Sequence, residues 1–597
     1  MRHVFATALG SVVVLAPSAR AQVHPQWVQT YDASPISYDL TFSVAVAPTG
    51  EVCAGGITGS KDLLVLSFRT GGGLAWSHRL SGTYIDAANG VLFDSSKDVY
   101  VVGRADDSSG TAGLAIEYDP AGHPLWQSVL HAGPGTTEFG GARLRSNGNL
   151  VVRGTVSDGI LVVEYDPRGN VLWKTDVVGG DYAYDLALGP SGEIVVVGSS
   201  DEVNGSSNFA VAKLSPSGLL LWSRSFSGGG TEYQSAHAVL VDADGSIYAG
   251  GRIQDPATGP NAVLYKLDPS GNVLWVRTHR GTGTAETYYA ESVDCLAFAA
   301  NRNVRTAGRT VDAGTETDVH VAEFTPEGML AWQQDWDGPG HGDDFATALA
   351  TGDDGSMTAL AVAEEASGSY DPVVLRWGPQ GELEWADVEP VSSTARSITG
   401  VCAIGAEGHE VFAGTTRPDR NGATNLVIVS ERDQAQPYCF GYAGSAPCPC
   451  GNSPIRGEGQ GCVNSSGAAA RMTDSGRAVL SFDTLTLTTT GAVGSAPVIF
   501  LQSDSASAPS PFGDGLRCVG PAAKRLFVHA ASGGVAVVPS DGDPSISARS
   551  AALGDPIPSG GVRFYQAVYR DASAIFCPPP AGGGMNASSA LAIEWAR

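Results

Sequence analysis

Eight tryptophans set the phase of most of this chain: Trp27, Trp76, Trp126, Trp173, Trp222, Trp275, Trp332 and Trp385, spaced 49, 50, 47, 49, 53, 57 and 53 residues apart. The stretch Asn261 to Trp275, NAVLYKLDPSGNVLW, shows the unit: an apolar run, the turn Asp268-Pro269-Ser270-Gly271, and a second run closing on the tryptophan. A period near 50 residues with several strand-like runs per unit implies a β-propeller, one blade per repeat. A helical solenoid would need long apolar patterns at 3.6-residue spacing, and these are missing. The 77 glycines and 16% charged residues agree with a turn-rich β protein.

Blade five displays the four expected strands: Ala238–Val241 (a), Ile247–Gly251 (b), Val263–Leu267 (c) and Val273–Val276 (d). Proline presets φ in the c–d turn and glycine closes it. The turn recurs as Asp119-Pro120-Ala121-Gly122 and Asp166-Pro167-Arg168-Gly169, and more loosely around Gly218, Gly328 and Gly381. A glycine ends strand b at Gly103, Gly154, Gly198, Gly251, Gly308 and Gly414, whereas the seventh unit has Ala361-Val362. The regular tryptophan is expected to pack between neighbouring blades rather than to stack on sugars. Trp27 lies in a lone strand d, and the unit after Trp385 has strands a, b and c only. The first strand therefore completes the last blade, giving eight closed blades and no open sheet edge; seven blades with extra terminal strands is the alternative.

The units resemble the SBBP-type repeat of bacterial extracellular β-propellers, best in Trp222 to Gly251, WSRSFSGGGTEYQSAHAVLVDADGSIYAGG. The resemblance covers about residues 22–433. It implies an exported propeller and says almost nothing about activity.

Met1 to Ala21 reads as a secretory signal cleaved after Ala21: Arg2 and His3, an apolar core at Val12 to Leu15, then Ala19-Arg20-Ala21. No stretch is apolar enough for a membrane helix. The net charge of -26 excludes a nucleic-acid partner, which would need a basic patch. The chain is expected outside the cell, at the surface or in the periplasm, and monomeric.

Four parts are expected: a signal at 1–21, the propeller at 22–433, a Cys-rich linker at 434–465 and a C-terminal β-sandwich of jelly-roll type at 466–597. The Cys-rich part is similar to modules ending large exported bacterial proteins. Strands are expected over 478–488, 496–501, 525–529, 535–539, 562–569 and 590–595. Cys439, Cys448, Cys450, Cys462, Cys518 and Cys577 read as disulfide cysteines, Cys518 with Cys577 and the first four among themselves. A zinc cluster fits less well, because His529 is the module's one histidine.

Catalytic signatures are scarce. His409-Glu410 starts like HExxH but has Ala413 at the second histidine position and lies in a strand. Neither a GxSxG elbow nor a Walker A loop is present. An acid precedes strand a in most blades, usually beside an aromatic: Asp39, Asp86, Glu138, Asp181, Glu232, Glu286, Asp343 and Asp344. At the funnel mouth these acids could bind a sugar or a cation; alternatively each caps the backbone of its own loop. No cofactor is expected, with calcium the one candidate; Asp242-Ala243-Asp244-Gly245 and Asp353-Asp354-Gly355 read as hairpin turns rather than calcium loops. The leading expectation is a non-catalytic binding or scaffolding propeller for carbohydrate, or for a cell-surface or matrix protein. A polysaccharide hydrolase or lyase using funnel acids is the alternative, and a PQQ-like quinoprotein is more remote.

Overall fold

The computed structural model describes residues 24–595 apart from short segments, the longest at 32–38, 284–290, 389–395, 418–424 and 572–583. The expected signal, Glu232, Glu286 and Cys577 lie outside the described residues.

Each repeat folds into one four-stranded antiparallel sheet. Blade 1 spans Leu40 to Leu80, blade 2 Ala87 to Leu130, blade 3 Thr137 to Val178 and blade 4 Ala183 to Phe226. Blade 5 spans Ser235 to His279, blade 6 Ser292 to Trp336 and blade 7 Phe345 to Val388. Blade 8 is Arg396–Ile404, His409–Arg417 and Asn425–Arg432, completed by His24–Tyr31, which pairs antiparallel with Asn425–Arg432. Strand a of every blade touches strand a of its two neighbours, the eighth touching the first. The ring is closed, as the missing strand d required, and strand a faces the axis. His409-Glu410 opens a strand, as expected.

The repeated tryptophan and the repeated turn are two halves of one contact. Trp76 donates from Nε1 to the Pro120 carbonyl of blade 2 at 3.3 Å, Trp222 to Pro269 at 3.1 Å and Trp275 to Pro326 at 3.1 Å. Gly122, Gly169, Gly218, Gly271, Gly328 and Gly381 each lie directly on the indole of the preceding blade. A Cβ at Gly218 would stand 2.3 Å from the Trp173 ring. These glycines also hold φ near +80 to +88°, a region in which L-residues are strained. The turn aspartate adds its own support: Asp268 accepts from Ser270 N at 2.8 Å and Asn272 N at 2.9 Å. Trp76, Trp126, Trp173, Trp222, Trp275 and Trp332 are half-buried, as expected of packing residues.

The C-terminal module packs a five-stranded sheet against a three-stranded one. The first runs in the order Ala435–Tyr438, Met585–Trp595, Gly561–Arg570, Pro497–Ser503 and Lys524–Ala530; the second pairs Arg471–Ser475, Thr486–Thr490 and Ala536–Val538. Phe500, Tyr565, Tyr569 and Trp595 from one sheet meet Met472, Leu487 and Val538 from the other in a shared core. The segment expected to be a linker contributes the edge strand Ala435–Tyr438. The strand expected over 478–488 is Thr486–Thr490; Ala478 and Leu485 are buried in the core outside that strand. Sequence reasoning missed the hairpin Ala506–Phe512 and Gly515–Val519 and the short helix Ile546–Ala552.

The disulfide pairing needs correction. Cys439 bonds Cys518 and Cys448 bonds Cys462, while Cys450 is also disulfide-bonded. Cys518 is therefore not tied to Cys577, and the first four cysteines do not all pair among themselves. The cause is the edge strand: pairing Ala435–Tyr438 with Met585–Trp595 carries Cys439 to Cys518, and the Tyr438 hydroxyl donates to the Cys518 carbonyl at 3.3 Å. Arg471 of the module reaches Glu384 of blade 7 at 3.3 Å, and Arg376 pairs with the same carboxylate.

Candidate functional site

The glycine ending strand b builds the channel wall. A Cβ at Gly56, Gly103, Gly198, Gly251 or Gly308 would fall 1.8–2.1 Å from a backbone carbonyl of the same blade's strand a or of the residue leading into it. This close approach coincides with a β-bulge in strand a of all eight blades. In blade 7, Ala361 pairs with Ala346 at the glycine position and the bulge is retained. The bulged residues of the first seven blades are Phe42, Asn89, Gly140, Tyr184, His237, Asp294 and Thr347. Each follows a buried residue and is itself half-buried or exposed. On the innermost strand that exposure faces the central channel.

Three residues before each bulge stands a cap. Asp39 accepts from Gly59 N at 3.3 Å and Thr58 Oγ1 at 2.6 Å, and Asp86 from Asp106 N at 2.9 Å. Thr137 accepts from Ala132 N at 3.1 Å, and Asp181 from the Ser199 hydroxyl at 3.4 Å. Gln234 accepts from Gly228 N at 2.7 Å, Glu291 from Gly281 N at 3.0 Å and Val311 N at 3.2 Å, and Asp344 from Gly338 N and from Glu364 N at 3.0 Å. Four acids singled out in the sequence, Asp39, Asp86, Asp181 and Asp344, occupy this register. Glu138 falls one residue after it and Asp343 one before. Glu138 accepts from Asn89 Nδ2 at 2.8 Å, and Asp343 accepts from Thr317.

The chemistry concentrates on the arc of blades 3 to 6. Gly140 lacks a side chain where the Arg153 guanidinium lies, 2.5 Å from any Cβ placed there. Arg153 donates to the Ala183 carbonyl at 2.7 Å, and burial pulls its pKa down to about 10. Arg143 pairs with Asp185 at 2.9 Å. His237 Nδ1 lies 2.7 Å from Asp294 Oδ1, and Arg309 Nε lies 3.1 Å from the other oxygen. Although burial opposes the charge, Arg309 first and then His237 hold the Asp294 carboxyl well below its usual range. Ser235 Oγ sits 2.7 Å from His237 Nε2, so Ser235, His237 and Asp294 stand in the order of a hydrolytic triad. Ser235 and Ser292 are only 2% and 1% exposed. At that burial the hydroxyls fix the imidazole and cannot meet a substrate carbonyl. Beside it, the Tyr184 ring is 5.4 Å from His237 and 6.5 Å from Tyr182.

Three further clusters lie in blades 5 to 7. Glu316, Asp343 and Glu364 form one carboxylate group, and Asp318, Asp337 and Asp344 another. Burial, with Asp318 and Asp337 adding to it, pushes the Asp344 carboxyl up to about 7. Their oxygen-only donor set is that of calcium or magnesium. His279, His320 and Asp335 form the third. There the imidazoles stack 3.7 Å apart and 12° from parallel. Ring nitrogens coordinate in the ring plane, so rings stacked this way cannot both reach one ion at about 2.1 Å. Asp242 of the Asp-x-Asp-Gly turn is taken by Arg302 at 2.6 Å, and Gly245 N closes the turn on the Asp242 carbonyl, which makes it a hairpin.

One comparison with known proteins agrees with the architecture. A family model described as a domain of unknown function (DUF5122) beta-propeller matches residues 189–220. Similar solved structures include Sqt1 from Chaetomium thermophilum, 12% identical, TM-score 0.44, covering 68% of this chain and 100% of that one. A protein of unknown function from Bacteroides caccae is 15% identical, TM-score 0.30, with 60% and 95% covered. A puromycin hydrolase mutant is 13% identical, TM-score 0.34, with 65% and 59% covered. No curated protein matches the chain.

Proposed function

We propose that this chain is an exported, non-catalytic binding protein of the SBBP-like propeller type, taking its ligand at the mouth of the central channel. The bulged ring carries this reading: strand a bulges in every blade, over a strand-b glycine in blades 1 to 6, and turns inward a position whose residue varies, while the caps, turns and tryptophans repeat. The disulfides and the signal-like start support a place outside the cell. A hydrolase or lyase reading has less support, since the described caps are engaged with their own loops and the triad-like serines are buried. The chain's ligand is a carbohydrate or a cell-surface or matrix protein. Full-length protein screened on glycan and matrix-protein arrays tests the site, beside an Asn89→Trp variant that fills the channel. Binding should disappear in that variant; a ligand bound equally by both proteins would place the site elsewhere.

A further inference from the structure

Resting on that channel-binding reading, we infer that the arc Tyr182, Tyr184 and His237 is a subsite for an uncharged sugar ring of a polysaccharide. Tyr182 is 54% and Tyr184 42% exposed, although both lie at the inner strand of a packed blade. They sit two residues apart, and with His237 they form a row of three rings with 6.5 and 5.4 Å between centroids. A pyranose presents C–H groups on its face and hydroxyls at its rim. An open aromatic surface edged by polar groups meets both.

The rim is in place. His237 is held from both sides, by Ser235 on Nε2 and by Asp294 on Nδ1, so its orientation is set before a ligand arrives. Arg309 and Asp294 lie next to it as donor and acceptor, matching hydroxyls that both give and take hydrogen bonds. Nothing in the aromatic row itself selects for charge. Of the neighbouring guanidiniums, Arg143 is matched by Asp185, Arg309 by Asp294 and Arg104 by Glu138 at 3.7 Å, while Arg153 is turned onto the Ala183 carbonyl at 2.7 Å. A uronate would have to displace one of these carboxylates or draw Arg153 off that carbonyl, and approach a chain of net charge -26. A neutral sugar does neither. Of the other bulged positions in the first seven blades, Asn89, Gly140, Asp294 and Thr347 offer no ring, and Phe42 offers one in blade 1; the row of three adjoining rings belongs to the arc of blades 4 and 5, which gives the chain a fixed side on which to stack.

Titration calorimetry of the full chain with neutral gluco-, xylo- and manno-oligosaccharides, and with oligogalacturonate, tests this. One or more neutral oligomers should bind, Tyr184→Ala should weaken binding about tenfold, the worth of one stacked ring, and Tyr184→Phe should stay within about threefold. His237→Ala should weaken binding too, while Leu125→Ala on an outer strand should leave it unchanged. Thermal melts of the variants report whether they fold. Equal affinity in wild type and a folded Tyr184→Ala would overturn the subsite, as would binding of the oligogalacturonate alone. If arrays show a matrix protein lost on filling the channel and no neutral glycan binds, the sugar assignment falls while channel binding stands.

Discussion

At the residue scale, one turn glycine in each of blades 2 to 7 answers to the indole beside it. Gly218 and Gly179 share φ of +82°, but a Cβ at Gly218 meets Trp173 whereas one at Gly179 meets nothing within 4 Å. Replacing Gly179 by alanine should therefore cost only backbone strain, about 1 kcal/mol. Gly218→Ala adds displacement of a packed ring and should cost about 2–4 kcal/mol in total. Calorimetric melting of both variants checks the difference. A third variant, Trp173→Ala with Gly218→Ala, should recover part of the added loss, because the clash goes with the ring. Equal effects at both glycines would mean that the turn bears no load from the tryptophan.

At the element scale, the clasp and the staples differ in what they restrain. Without His24–Tyr31, blade 8 would keep three strands and expose the edge of Asn425–Arg432. Deleting residues 24–31 should lower the propeller's melting temperature and promote association, read by light scattering. The disulfides close loops of different lengths, 79 residues for Cys439–Cys518 and 14 for Cys448–Cys462. Chain entropy then assigns on the order of 4 kcal/mol to the first and on the order of 3 to the second. The double variant Cys439→Ser with Cys518→Ser should destabilise the module more than Cys448→Ser with Cys462→Ser, measured by denaturant unfolding. Much of this architecture was legible because it repeats: spacing gave the blades, and the absent last strand gave the clasp. The disulfide partners were not legible, because a four-residue edge strand sets them through a pairing with the far end of the chain. The channel residues were missed for a related reason. A bulge moves the inward position off the plain alternation of a strand, and the acids chosen around Glu232 and Glu286 ran ahead of the register that Gln234 and Glu291 hold. Counting three residues on from the aligned caps would have found Tyr184, His237 and Asp294.

At the scale of the whole molecule, buried titratable groups in neighbouring blades give stability two opposed dependences on pH. Burial, with His320 stacked alongside, pulls His279 down to about 4. Its unfolded form takes up a proton near pH 6.5, so between those values the unfolded chain binds more protons and stability falls as pH is lowered. Asp344 acts in the other sense. Raised to about 7 from an unfolded value near 3.8, its protonated form belongs to the folded state; that contribution is complete below about pH 4 and is lost as pH rises through 7. The two windows overlap and their slopes oppose, so together they predict a nearly level melting temperature between about pH 4 and 6.5. Two substitutions separate them in a calorimetric scan from pH 4 to 9. His279→Gln should leave the Asp344 dependence exposed, with stability falling as pH rises from about 4 to 7. Asp344→Asn should leave the His279 dependence exposed, with stability falling as pH is lowered below about 6.5, because an amide keeps an acceptor for Glu364 N without carrying charge beside Asp318 and Asp337. A pH profile insensitive to both substitutions would mean that these seams remain solvated and that neither group is held away from its ordinary ionisation.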